Sequence, residues 1–160
     1  IKGESAEDSV AKILSCLWHV YKASDLEKGA FSDWDLSVSQ VGTGHEICTV
    51  EVKYDEMQSK TGNVAIEINN PRSGKPSGLT ATKANLWCQV LKDSAWITSV
   101  KGLRKFCEET PPFKMFSSAG DGNAAILLYK TEDILKIFER IDKCSKIQLQ
   151  QKIHSLLQLA

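Results

Sequence analysis

The stretch TVEVKYDEMQSKTGNVAIEINN, Thr49 to Asn70, decides how this chain folds. Its first part is rich in β-branched residues, and strand side chains alternate faces with a period of two. Val50 and Val52 therefore point one way, and Glu51 and Lys53 the other. Further on, "GNVAIEIN" alternates Val64, Ile66 and Ile68 against Ala65, Glu67 and Asn69, the pattern of another strand. A carboxylate and an ammonium two residues apart on one strand face have two readings. One is a charge pair on the wet side of a half-exposed antiparallel strand. The other is a pair of functional groups in a site.

Working outward, "DWDLSVSQ" alternates Trp34, Leu36 and Val38 with Asp33, Asp35, Ser37 and Ser39. With "VGTG" as the turn, it forms a β-hairpin with "HEICTVEVKYD". Upstream, Val10, Ile13, Leu14, Leu17, Trp18 and Tyr21 recur at helical spacing, and Ser5 with Asp8 resembles a capping box, so a helix is expected from about Ser5 to Lys22. Downstream, "NPRSGKPSG" reads as a loop and "LTATKANLWCQVL" as a helix with Thr80 or Thr82 as N-cap. Then come a strand "AWITSV", a helix "KGLRKFCEE", a loop "PPFKMFSSAGDGN" and a buried strand "AAILLYK". Two amphipathic helices close the chain: "TEDILKIFERID", with Ile134, Ile137, Phe138 and Ile141 on one face, and "SKIQLQQKIHSLLQL". The sum is one α/β domain over residues 1–160, a mixed β-sheet of about five strands flanked by helices.

A chain of 160 residues can bury about two-thirds of its unfolded surface. Its 42% hydrophobic and 25% charged residues match soluble globular proteins. No apolar run approaches the roughly 18 residues of a membrane span, and "IKGESAEDSV" lacks a signal-peptide core, so an intracellular protein without membrane contact is expected. Cys16, Cys48, Cys88, Cys107 and Cys144 form no CxxC pair, which points to a reducing compartment and to packing roles. His19, His45 and His154 have no metal-ligand spacing. Twenty basic residues balance twenty acidic ones, yet Gln58 to Lys92 holds Lys60, Arg72, Lys75, Lys83 and Lys92 against the single acid Glu67. That segment is either a basic surface for a polyanion or a solvated loop with scattered lysines.

Asp35 lies on the strand that pairs with the Glu51 strand, and Glu7 lies on the core-facing side of the first helix. The helix macrodipole alone also accounts for an acid at Glu7. Two or three carboxylates suit a hard divalent cation, Mg²⁺ above all, which keeps several waters and leaves room for phosphate oxygens. Lys53 would orient the attacking water or offset negative charge at the same centre.

Asp35, a turn, then Glu51-Val52-Lys53 on the next strand, all preceded by a helix bearing Glu7, resembles the PD-(D/E)XK nuclease superfamily of restriction-endonuclease-like fold. The opening "KGESAE" is similar to the start of archaeal Holliday junction resolvases. "KTGNVAIEI" and "KPSGLTATKANLW" resemble phage-encoded nucleases of the superfamily, so the likeness runs from Lys2 to Trp87. Trp34 stands where the family has Pro, and Asp33 competes with Asp35 as first ligand; Asp35 is preferred because it directly precedes "LSV".

The resemblance implies a metal-dependent endonuclease hydrolysing DNA phosphodiesters, selective for branched or flapped structures, in recombination, repair or phage genome processing. Asp35, Glu51 and the Val52 carbonyl would hold Mg²⁺ or Mn²⁺, Lys53 would assist the water, and Glu7 would complete the catalytic set. Glu67 either faces the same cleft, for a second ion or for Lys53, or faces solvent. Lys60, Arg72, Lys75, Ser77, Thr80, Thr82 and Lys83 are the nucleic-acid-binding candidates, the last four around a helix start that favours phosphate. A non-catalytic nucleic-acid-binding module and an RNA endonuclease are the alternatives. For a homodimer, Leu149, Ile153, Leu156 and Leu157 offer either an interface or a cover for their own core.

Overall fold

The computed structural model describes residues 5–26, 33–117 and 124–159. The Lys2-Gly3 pair of the resolvase-like opening lies outside them. Helix α1 spans Ala6–Leu14, and Ser5 caps it by accepting the Asp8 N–H at 3.1 Å. It ends at Leu14 and not at Lys22. The Ser15 hydroxyl folds back onto the Ala11 carbonyl, and His19–Lys22 forms β1, with Val20 opposite Val38. Val20 and Tyr21 fit a pleated edge, and sheet pairing overrides the helical spacing there.

A single turn, α2 (Ala23–Leu26), precedes β2 (Leu36–Ser39) and β3 (Glu46–Tyr54). These two strands form the expected hairpin, with Leu36 opposite Val50 and Val38 opposite Cys48. Gly42 and Gly44 adopt positive φ in its turn, at 91° and 71°. The turn α3 (Gln58–Thr61) leads into β4 (Asn63–Glu67). Next come α4 (Gly78–Ala81), β5 (Leu86–Val90), β6 (Ala95–Ser99) and α5 (Val100–Glu109). They are followed by β7 (Lys114–Ser117), β8 (Ala124–Lys130), α6 (Thr131–Ile134), β9 (Glu139–Arg140) and α7 (Lys146–Leu159).

Three expected elements differ. The helix read into "LTATKANLWCQVL" is the one-turn α4 followed by β5, whose five residues are all buried. A strand covered on both faces loses its alternation and looks like a helix segment in sequence. The loop "PPFKMFSSAGDGN" contains β7, an exposed edge strand. The helix "TEDILKIFERID" breaks after one turn into a 3-10 turn at Leu135–Ile137 and then β9, although Ile134, Phe138 and Ile141 are buried as expected.

The architecture is mixed α/β, with more strands than the five anticipated. A six-stranded sheet runs β1-β2-β3-β5-β6-β9, and only its β3–β5 pair is parallel. β4 does not join it but forms a second, three-stranded sheet ordered β4-β8-β7. On one face of the main sheet, Val50, Val52, Leu36 and Cys88 pack with Val10 and Leu14 of α1 and with Leu149, Ile153 and Leu156 of α7. The α7 stripe thus covers its own core. On the other face, Trp87 joins Val64, Ile66 and Leu127 of the second sheet and Leu103 of α5. Trp34 also packs against this second core. Cys48 and Cys88 are core residues, whereas Cys16 is exposed.

Candidate active site

The hairpin register builds the site. Asp35 immediately precedes the Leu36–Val50 pair that opens the register, and its carboxyl comes close enough to that of Glu51 to share a hydrogen bond with it. Asp35 is fixed twice to β3: its N–H donates to the Val50 carbonyl at 3.0 Å, and its Oδ2 accepts the Val52 N–H at 2.7 Å. Its own carbonyl accepts the Ala23 N–H at 2.8 Å. A strand residue presents its N–H and C=O to the same neighbour. The Val52 carbonyl therefore faces the end of β2 where Asp35 sits.

Glu51 is only 7% exposed. Burial first, then the charge of Asp35 and a hydrogen bond shared with it, push its carboxyl from the ordinary 4.5 up to about 7. A hydrogen bond from Thr82 and the Lys53 charge pull the other way. Lys53 places its Nζ 3.7 Å from Glu51 Oε2. Glu7, in the first turn of α1, also meets Asp35: its carboxyl is raised by burial, then by the Asp35 charge, with Lys22 opposing. Asp35 is thus the common neighbour of Glu7 and Glu51.

Asp33 turns elsewhere. Its Oδ1 lies 3.9 Å from Lys83 Nζ, and its carbonyl accepts the Lys83 N–H at 2.8 Å. Thr82 is 3% exposed, with its hydroxyl oxygen 3.3 Å from the Asp33 carbonyl oxygen. It supports Glu51 from beneath and has no open side to offer a phosphate. The expected phosphate site at a helix start also loses its basis, because α4 is one turn long. Ser77 donates its hydroxyl to Glu67 Oε2 at 2.9 Å, while Thr80 and Lys83 are exposed. Arg104 of α5 holds this segment by donating to the Leu79 carbonyl at 2.9 Å and the Thr82 carbonyl at 2.8 Å.

The basic stretch is divided. Arg72 and Lys75 are exposed on a tight turn closed by Asn70, whose Oδ1 accepts the Arg72 N–H at 2.9 Å. Lys60 sits on α3 at the opposite end of β4, a strand length of about 17 Å away. Glu67 and Lys53 line one cleft of ≈ 330 Å³, together with Tyr54, Asp55, Gln89 and Ile126.

Two residues beside the site were missed in the sequence. Asp55 continues the Glu51, Lys53 face by two residues and is buried; its carboxylate accepts the Ala65 N–H at 2.8 Å and the Gln58 N–H at 3.2 Å. The same spacing argument could have found it. Gln89, opposite Lys53 in the β3–β5 register, donates its amide to Asp55 Oδ2 at 3.3 Å and to the Ala65 carbonyl at 3.1 Å. Its Oε1 accepts the Trp87 indole N–H at 2.8 Å. A lone glutamine inside an apolar strand was the available signal. Together they strap the second sheet to the main one beside Lys53.

Two crowded carboxylates, one of which holds its proton unusually tightly, form a donor set of hard oxygens with excess negative potential. That set fits a hard divalent cation, which needs only one or two protein carboxylates. Among the described residues, no group of three or more His, Cys, Asp or Glu is arranged to hold a metal.

Fold and site together define a mixed α/β protein with a carboxylate pair, Glu51 buried and Asp35 half-buried, and a lysine at the open end of a hairpin. No family model matches the chain, and no curated protein matches it in sequence. Among solved structures, the bacterial homing endonuclease I-Ssp6803I is similar over 96% of this chain and 89% of its own, at 16% identity and a TM-score of 0.49. At that level of overlap the likeness does not bear on function, which has to come from the site's own chemistry. Among the described residues, no helix is long and apolar enough to cross a membrane.

Proposed function

We propose that this protein is a metal-dependent endonuclease of the PD-(D/E)XK kind, hydrolysing DNA phosphodiester bonds with a preference for branched or flapped substrates. The observation that carries the reading is the hydrogen bond shared by the Asp35 and Glu51 carboxyls, with the Lys53 ammonium 3.7 Å from Glu51 Oε2. Asp35 and Glu51, with the Val52 carbonyl, would hold Mg²⁺ or Mn²⁺, which when bound lowers the pKa of water and polarises the phosphoryl group. Glu51 is held by burial and by Thr82, so its oxygens need little reorganisation during reaction. Lys53, partly exposed beside it, orients the attacking water and offsets the charge that grows on the phosphoryl oxygens. Glu7 adds negative potential beside Asp35, and burial followed by the Asp35 charge raises the Glu7 carboxyl in turn.

Glu67 lines the Lys53 cleft and in this reading keeps the lysine side of the site polar. Arg72, Lys75 and Lys83, all exposed, would meet the phosphate backbone. The test is incubation with Mn²⁺ or Mg²⁺ and labelled duplex, single strand, flap, four-way junction and RNA, comparing wild type with Asp35→Asn. Metal-stimulated cutting of a branched DNA by wild type, lost in Asp35→Asn, is the expected result. Absence of cutting on every substrate defeats the reading, and cutting of RNA alone changes its substrate.

A further inference from the structure

We propose that the outer face of the second sheet, with the adjoining cleft at the end of β3, is a binding track for an unpaired polynucleotide strand, with Tyr54 in the cleft and Phe116 on the sheet as stacking groups and Lys114 as a phosphate contact. The inference rests on the endonuclease reading for its role, but its binding claim stands on separate residues. Cross-strand register places Glu67 opposite Ile126 and Ile126 opposite Phe116, with Leu128 opposite Lys114 in the next row. Directly paired residues share a face. The alternate residues Val64, Ile66, Leu127 and Tyr129 are buried, so Phe116 and Lys114 stand on the outer side. Ile126 also lines the cleft that contains Lys53 and Tyr54. The track is therefore continuous with the candidate active site.

Its chemistry suits a polyanion with flat bases. Tyr54 is 46% exposed and Phe116 45%, and the Lys114 ammonium lies 5.0 Å from the Phe116 ring centroid. A second pair, Lys130 over Phe113 at 5.6 Å, sits at the other end of the same hairpin. Residues 111–117 and 124–130 hold Lys114 and Lys130 and no acid, while Glu67 in the Ile126 row is engaged by the Ser77 hydroxyl and Asp55 in the cleft by the Ala65 and Gln58 N–H groups, so the charge offered along β7 and β8 is positive and favours phosphates. Exposed rings bind bases through stacking whatever the sequence, whereas the bases of a duplex already stack on one another. A second copy adding a strand to β7 is disfavoured by the irregularity between Phe116 and Ser117, since a bulge turns an edge away from pairing.

Fluorescence anisotropy of labelled oligothymidylate and of blunt duplex, in EDTA so that nothing is cut, tests this with wild type, Phe116→Leu, Tyr54→Leu and Lys114→Ala. Expected is a loss of about tenfold in oligothymidylate affinity for each aromatic variant, with duplex affinity little changed. Lys114→Ala should lower the salt dependence of binding by about one phosphate contact. Thermal unfolding of each variant verifies folding, and the lysine variant tests the track without touching a ring. Wild-type affinity in all three variants overturns the proposal, as does equal loss on duplex. A concentration-dependent dimer dissolved by Phe116→Leu with oligothymidylate affinity intact assigns the face to a second copy and also overturns it. Failure of the endonuclease reading looks different: track-dependent binding persists while wild type cuts nothing when metal is added.

Discussion

The Lys53 ammonium lies 3.7 Å from Glu51 Oε2, and Glu51 in turn shares a hydrogen bond with Asp35. Lys53 is the partly exposed member of this chain and Glu51 the buried one, so the lysine is the group free to reach a substrate. Lys53→Ala should lower kcat for metal-dependent cleavage by about 10²-fold or more while leaving substrate affinity within a few-fold. Single-turnover kinetics beside a binding titration separates the two. A variant that cuts like wild type removes Lys53 from the chemistry.

Glu51→Gln should stabilise the metal-free protein at pH 8. The Glu51 carboxyl is raised from 4.5 to about 7 by folding, so between those values the folded state keeps a proton that the unfolded chain releases. Stability therefore falls as pH rises through this window, and the loss is complete above it. Facing Glu51 are Asp35, Lys53 and Thr82, with Glu7 beyond Asp35. The glutamine removes about 1–3 kcal/mol of this penalty at pH 8 and nothing at pH 4. Thermal unfolding at both pH values checks it, and equal midpoints at pH 8 contradict it. Added Mg²⁺ should raise the midpoint of wild type at pH 8 and not that of the variant.

Gln89→Leu should destabilise by about 2 kcal/mol, because it strips partners from the buried Asp55 carboxylate and the Trp87 indole N–H together. The Asp55→Asn, Gln89→Leu double variant should lose less than the sum of the single losses. Urea unfolding of the four proteins closes the cycle, and simple additivity would show that the two side chains act independently.

What was legible in the sequence follows from its periodicities. The "VGTG" turn and the inward Val50 and Val52 come from period-two alternation around a short turn, whereas Asp35 precedes the first paired residue and meets Glu51 through its side chain. β5 escaped because "LWCQV" is buried on both faces, and β7 because "KMFS" is exposed on both, so neither alternates. Tyr21 continued a helical spacing but sits on an edge strand, where pairing with Ser37 decides. The contact of Thr82 with Glu51 crosses from the α4–β5 connection, and no local pattern encodes it. Placing β4 in a separate sheet depends on its pairing with β8, far along the chain.

Gly78→Ala should be among the costliest small substitutions in the chain. Gly78 has φ +50°, and a Cβ there would overlap the Glu67 carbonyl oxygen. The backbone, not a flexible side-chain end, would have to move. A loss of at least about 2 kcal/mol is expected. Near-wild-type urea unfolding would show that the α4 turn can shift at little cost.

The hairpin that brings Asp35 to Glu51 is local in the chain, whereas the parallel β3–β5 pair and the β4–β8 pair join distant segments. Local contacts close sooner than distant ones. The carboxylates are thus expected to meet before the second sheet covers them, so their repulsion acts on the rate of folding as well as on its end point. Protons or divalent cations present during refolding would then speed it, making assembly of this protein responsive to the ionic composition of its surroundings.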